Sequence, residues 1–277
     1  RVVKFFCSFF LHRLYFYAIL RREFTGGPEK GSGAVKREEK PEVSRNSERS
    51  MQRNGPSALQ QELMALADEK YKAFQSRLIP TVPPERILGV RTPVLRKFAA
   101  GFSKRPEAEG FLRDLPHRLY EEDNLHAFLL ERLGDYGRTV KELDRFLPYV
   151  DNWATCDSMR PKILGKHRKE LYPVLLQWLR SSETYRVRFA IGMLMEYLKE
   201  DFSEEHPRKV LEADDGRYYI SMMAAWYLAT ALAFRFEEIL PWFRSPLLSQ
   251  ETRKRAIRKA LESYRITEGQ KEILRRL

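Results

Sequence analysis

The strongest constraint on this chain is a period. Beyond residue 138, helical segments recur in pairs, and the second helix of each pair opens near Asn152, Glu183, Gly216 and Gln250. The intervals are 31, 33 and 34 residues. First helices are predicted near 139–149, 168–180, 203–213 and 235–243. One such pair cannot bury both of its apolar faces, so pairs must stack, with the second helices lining one side of an α-solenoid. No run of β-branched residues alternates with polar ones, so the chain is expected to be all-α with essentially no sheet.

The segment before the repeats fits the same plan. Ser57 is placed to cap a long amphipathic helix in which Leu59, Leu63, Met64, Ala67, Tyr71 and Phe74 recur at three- and four-residue spacing. Prolines at 80, 83 and 84 break it, and Thr92-Pro93 opens the next helix. A short helix is predicted over 105–115. A longer one follows over 121–133, with Leu125, Phe128, Leu129 and Leu133 on its apolar face and Gly134 at its end. The whole reads as about six antiparallel helix pairs, a HEAT-like array with a concave groove.

The first fifty residues do not share this pattern. Residues 1–22 are aromatic and apolar but are interrupted by Lys4, His12 and Arg13. Their uncharged runs, such as Phe5 to Leu11, fall far short of the ~20 residues that span a bilayer. Residues 25–57 are rich in Gly, Ser, Glu, Lys and Arg, the composition of a linker or a disordered segment. Position 1 is not Met, and Met51 stands just before the first patterned segment. The expectation is a non-native or disordered extension over 1–57 and a helical-repeat domain over 58–277, with translation opening at Met51. The rival reading of the leader is a basic aromatic anchor lying on a membrane surface.

Charge and cysteine usage narrow the partners. The formal charge is +12, and residues 1–50 hold 11 Lys/Arg against 6 Asp/Glu, so +7 remains on the rest. That excess suits a polyanionic partner. Cys7 and Cys156 are the only cysteines, which excludes a disulfide framework and points to a reducing cytoplasm. The five histidines make no metal-ligand spacing with each other or with cysteine, so no metal site is expected. Cys156 has no His near it in sequence and reads as a small buried residue, not a nucleophile.

The candidate working centre is Asp151 to Lys166, DNWATCDSMRPKILGK. Asp151 or Asn152 can cap a helix that carries Trp153 and Asp157 on one face, one turn apart, with Ile163 and Leu164 also within it. An anion beside an indole face suits a ligand that is planar and cationic. The structural alternative is a core Trp153, with Asp157 paired to Arg160 at i+3. Stacking the repeats would add Arg186 or Arg188 from the next second helix and Trp226 from the one after. Arg253, Lys254 and Arg258 would follow from the last.

Several segments together resemble one family. LGVRTPVLRKFA at 88–99, NWATCD at 152–157, TYRVRFAIGMLM at 184–195, YYISMMAAWYLATALA at 218–233 and ETRKRAIRKALESYRIT at 251–267 are similar in order and spacing to the DNA alkylation repair proteins, the AlkD-like HEAT-repeat DNA glycosylases. The resemblance covers about 58–277. It implies a cleft holding Trp153 and Asp157, with Arg188 on the next repeat and Trp226 beyond it. The sequence departs from the family's best-studied motif, WWDSVD, immediately before Trp153, where Asn152 stands in place of a second tryptophan.

The implied activity is hydrolysis of the N-glycosidic bond of N3- or N7-alkylated purines in duplex DNA, by a monomer, without metal or other cofactor and away from membranes. An alkylated purine carries positive charge and is a good leaving group. A single carboxylate, Asp157, can then stabilise the oxocarbenium-like sugar and place a water. Trp153 and Trp226 would offer π faces to sugar and base, and Arg188 would hold either the adjacent phosphate or Asp157. Lys162, Lys166, Arg168, Arg253, Lys254 and Arg258 are the expected phosphate contacts. The competing function is a non-catalytic HEAT-like scaffold that uses the groove to bind DNA or a protein partner.

Overall fold

The computed structural model describes residues 55–277, so the expected extension is met only at its last three residues and Met51 lies outside the described residues. The chain divides into a unit over 1–62 and a unit over 63–277. Ser57, in the first, caps helix α1 (Ala58–Met64): its hydroxyl accepts from the Gln60 N–H at 3.2 Å, and the Gln60 amide oxygen accepts from the Ser57 N–H at 3.1 Å.

Within 63–277 the described residues form helices and connections and no strand. The helices are α2 (Glu69–Leu78), α3 (Thr92–Phe102), α4 (Glu107–Arg113), α5 (Tyr120–Leu130), α6 (Tyr136–Phe146) and α7 (Trp153–Ser158). There follow α8 (Lys162–Lys166), α9 (Arg168–Trp178), α10 (Thr184–Leu194), α11 (Glu205–Ala213) and α12 (Tyr218–Phe234). The last are α13 (Phe236–Ile239), α14 (Gln250–Leu261) and α15 (Glu268–Arg275). The second helices α3, α5, α7, α10, α12 and α14 pack consecutively, each against the next. This row is the α-solenoid that the period predicts. Its four repeat helices begin within two residues of the expected positions, and two of them are capped by side chains, Asn152 and Ser249.

Three expectations change. The single long helix after Ser57 is two helices, because Asp68 restarts the chain: its carboxylate accepts from the Tyr71 N–H at 2.9 Å and its own N–H donates to the Gly89 carbonyl at 3.1 Å. That contact brings the 87–90 loop so close that a Cβ on Gly89, whose φ is +90°, would lie 2.5 Å from the Asp68 carbonyl. Only glycine fits there without strain.

The second change is at the candidate centre. The helix from Trp153 stops at Ser158, Met159 is extended, and Pro161 separates it from α8, so Ile163 and Leu164 belong to a different helix. Proline supplies no N–H to continue α7 and disfavours helical backbone in the residue before it.

The third change concerns α5, which is buried on every face and has no exposed polar side, so its apolar residues do not mark one face. Its acidic residues are matched internally, and of the His126 ring nitrogens Nδ1 is paired and Nε2, among the described residues, is not. Glu121 accepts from the backbone N–H groups of Leu88, Gly89 and Val90 at 2.9, 2.8 and 3.2 Å, and so fixes the loop that α2 approaches. His126 lies against Phe146 with ring centroids 4.0 Å apart, and its Nδ1 meets Nε2 of His117 at 2.8 Å.

Burial pushes His117 down to about 4 and His126 well below the usual histidine range, so both are neutral in the folded protein. The unfolded chain binds protons at these imidazoles as pH falls below about 6.5, whereas the folded chain does not. Stability contributed by the neutral pair is therefore complete above pH 6.5 and is lost as pH falls from 6.5 towards 4. Denaturant titrations from pH 7 to 5 should show this decline, and a His117→Phe/His126→Phe double variant should flatten it.

Candidate active site

Helix α7 has six residues, too short to be stable alone, so its direction is set by its attachments. At its N-terminus Asn152, fully buried, accepts from the Thr155 N–H at 2.8 Å. The Asn152 amide donates to the Thr155 hydroxyl at 3.1 Å and to Asp151 at 3.2 Å. Position 152 is thus a helix cap, which explains why a polar residue stands there in place of tryptophan. At the other end Arg96 donates to the Ser158 carbonyl at 3.1 Å, and Glu131 accepts from the Arg160 N–H at 2.9 Å. The Trp153 indole N–H donates to the Leu78 carbonyl at 3.1 Å, which fixes the ring with 7% of the residue exposed.

Asp157 faces Arg188 and not Arg160. The Arg188 guanidinium donates from Nε to one carboxylate oxygen at 2.9 Å and from a terminal nitrogen to the other at 2.7 Å. Its remaining terminal nitrogen donates to the Tyr219 carbonyl at 2.7 Å. The Arg188 side chain is 1% exposed and Asp157 11%. Burial alone would weaken the charge on Arg188, but the adjoining carboxylate outweighs it and drives the guanidinium pKa up. Arg188 therefore stays charged and is committed to Asp157 and Tyr219. Of the two expected roles, phosphate contact or carboxylate holder, the structure has the second. Its neighbour Arg186 pairs with Glu183 at 2.6 Å and Asp144 at 3.2 Å.

Cys156 is buried, its thiol donates to the Tyr185 carbonyl at 3.4 Å, and burial pushes the thiol far up, so it is not a nucleophile at neutral pH. Trp226 is part-buried on α12, seven residues beyond Tyr219, or about 10 Å along the helix. Of the expected phosphate contacts, Lys162, Lys166, Lys254 and Arg258 are exposed and Arg253 is half-buried. Arg168 is ion-paired with Glu200 at 2.7 Å and with Asp201. Its charge is already met.

Tyr219, Thr155 and Asn124 were not among the expected site residues. Asn124 accepts from the Thr155 hydroxyl at 3.1 Å, and Tyr219 lies against Tyr185 with centroids 5.6 Å apart. A signal was present. Asp157, Arg188 and Tyr219 are 31 residues apart in succession, as are Asn124 and Thr155. Residues one repeat apart meet across neighbouring second helices.

The arrangement defines a helical-repeat protein with one carboxylate clamped between repeats beside a fixed indole. Residues 59–215, more than half of the chain, match the family model described as DNA alkylation repair enzyme, and the chain belongs to that family. Membership gives it a role in DNA repair, with DNA as partner. The match takes in Trp153, Asp157 and Arg188 and ends before Trp226. No curated protein matches the chain. Among the described residues, no helix is long and apolar enough to cross a membrane, and no cluster of His, Cys, Asp and Glu could hold a metal ion.

A buried pair of this kind is costly to halve. Arg188→Met should lower stability by about 3–5 kcal/mol, because it strands the Asp157 carboxylate. Asp157→Leu combined with Arg188→Met should recover part of that loss, since neither charge is then left alone. Denaturant unfolding of the two single variants and the double variant measures the coupling.

Proposed function

We propose that this protein is a DNA glycosylase that releases N3- or N7-alkylated purines from duplex DNA. The observation that carries the reading is the Asp157 carboxylate, fixed one helical turn from Trp153 and oriented by a buried guanidinium. In an N7- or N3-alkylated nucleotide the base already carries positive charge. Heterolysis of the C1′–N bond returns the bonding electrons to the base, which leaves neutral, while positive charge develops on the sugar. Asp157 supplies the matching negative charge and orients the water that adds to C1′, leaving an abasic site. Arg188 keeps the carboxylate aimed, which preorganises the site before the charge develops. Trp153 supplies a flat, electron-rich face towards the cationic nucleotide, and Trp226 a second one further along the groove. Lys162, Lys166, Arg253, Lys254 and Arg258 neutralise phosphates. The domain that does this is proposed to run over 58–277.

The second reading is a DNA-binding member of the family without catalysis. Its support is the same bidentate pair, since a carboxylate satisfied on both oxygens can be purely structural.

Base release from a duplex carrying N7-methylguanine separates the two. Wild type should release the base above the spontaneous rate, and Asp157→Asn should lower the rate about a hundredfold to a thousandfold. Binding measured in parallel should hardly change in Asp157→Asn. Arg188→Lys should lower the rate while leaving DNA affinity near wild type, because Arg188 is buried and reaches no phosphate. Wild type without base release identifies the binding member, and an Asp157→Asn variant as fast as wild type rules out Asp157.

The basic residues generate a separate expectation. Affinity for duplex DNA should fall steeply with salt, with a slope of about 0.9 per neutralised phosphate in a plot of log K against log salt. Lys254→Ala and Lys166→Ala should each reduce that slope. Arg168→Ala should not, because its charge is met by Glu200 and Asp201.

A further inference from the structure

A helix as short as α7 cannot aim its own side chains. What aims it is a chain of hydrogen bonds that starts part-buried outside the site and ends fully buried at Thr155. Arg86 donates to Asp123 of α5 at 3.0 Å and to Asp151 at 2.5 Å. Asp151 accepts from the Asn152 amide, which also donates to the Thr155 hydroxyl, and that hydroxyl donates to Asn124 of α5. Thr155 is the centre of this chain. Its backbone N–H is held by Asn152 and its hydroxyl is held on both sides, by one donor and one acceptor. Asn152 and Thr155 are fully buried and Asn124 nearly so, so none of them touches a ligand in the groove.

The position of Thr155 matters. It lies two residues from Trp153 and two from Asp157, on the opposite side of the helix from both. A bond that pins this side to α5 sets the rotation of α7 about its axis. That rotation decides how the Asp157 carboxylate meets the fork of Arg188. Apolar packing alone resists separation of helices far better than it resists rotation, because it is non-directional. Hydrogen bonds at fixed angles supply the direction.

We propose that Thr155 is a positioning residue for the Asp157 carboxylate, acting through its hydroxyl bonds to Asn124 and Asn152. The catalytic half of this inference rests on the glycosylase reading; the geometric half does not. Thr155→Val keeps the shape of the side chain and removes both hydroxyl bonds. Thr155→Ser keeps the hydroxyl and loses only a methyl group. Two readouts apply, both taken well below the lowest melting temperature of the set. One is the solvent-exchange rate of the Arg188 Nε proton by NMR, which reports how firmly Asp157 holds it. The other is kcat and KM for base release from a duplex carrying N7-methylguanine.

Thr155→Val should raise the exchange rate about tenfold, the scale of one lost hydrogen bond. It should lower kcat about tenfold to a hundredfold through misplacement of the carboxylate, with KM unchanged. Thr155→Ser should restore both. Should Thr155→Val fail to fold, Asn124→Ala, which removes the hydroxyl's acceptor, carries the same test. A folded Thr155→Val or Asn124→Ala variant that melts lower but keeps the wild-type exchange rate and kcat overturns the proposal, because Thr155 is then only structural. If wild type releases no base, the glycosylase reading fails, and the exchange rate still decides the positioning role.

Discussion

One guanidinium ties three successive repeats together at the centre of this molecule. Arg188 belongs to α10, Asp157 to α7 and Tyr219 to α12, and all three Arg188 nitrogens donate across those boundaries. Taking a charge out of water costs several kcal/mol, and only a partner with good geometry offsets it. Here the partner is bidentate and a backbone carbonyl takes the remaining nitrogen. The fork therefore acts as a gauge of spacing between helices. It is satisfied only when the three second helices keep one register.

The same device recurs along the array. Thr252 of α14 donates to Asp214 before α12 at 2.6 Å, Trp178 of α9 donates to Asp144 of α6 at 3.0 Å, and Tyr172 of α9 donates to Glu205 of α11 at 3.0 Å. Arg235 donates to the Leu198 carbonyl at 2.9 Å, and Arg217 caps the carbonyls of 181 and 182. These separations run from 33 to 38 residues, close to the period of the helix pairs. In an array where each repeat meets only its neighbours, apolar stacking supplies the bulk of the stability but leaves helices free to slide. Directed polar bonds between neighbours remove that freedom.

Much of this was legible in the sequence, for physical reasons that differ by element. The repeat helices announced themselves because their apolar segments recur at one interval, and local chemistry suffices to start a helix at Asn152 or Ser249. The pairing of Trp153 with Asp157 followed from helical geometry. The partner of Asp157 did not follow from local spacing, since Arg160 at i+3 competes on equal terms until the break at Pro161 turns it away. Helix α5 was read as amphipathic from Leu125, Phe128, Leu129 and Leu133, yet the three acids of its first turn are buried as well. They are buried because Glu121 serves the N–H groups of 88–90, Glu122 those of Arg118 and Leu119, and Asp123 serves Arg86. Glu121 meets 88–90 at the repeat spacing of 31 to 33 residues, but that spacing alone does not show that an acid is buried.

The arrangement also separates what must be rigid from what can adapt. A carboxylate that stabilises a developing cation is effective only if it need not reorganise when charge appears. Helices α5, α7, α10 and α12 meet that demand through the bonds of Thr155, Asp157 and Arg188, so sliding between any two of them breaks a buried polar contact. The exposed basic residues lie outside that buried set. Lys162, Lys166, Lys254 and Arg258 are exposed on flexible side chains, outside the buried bonds that fix the acid. Phosphates along a duplex vary in position, and long cationic side chains tolerate that variation at little cost. In the proposed function, a stiff centre with compliant cationic flanks would let DNA be met at many positions while the geometry at Asp157 stays fixed.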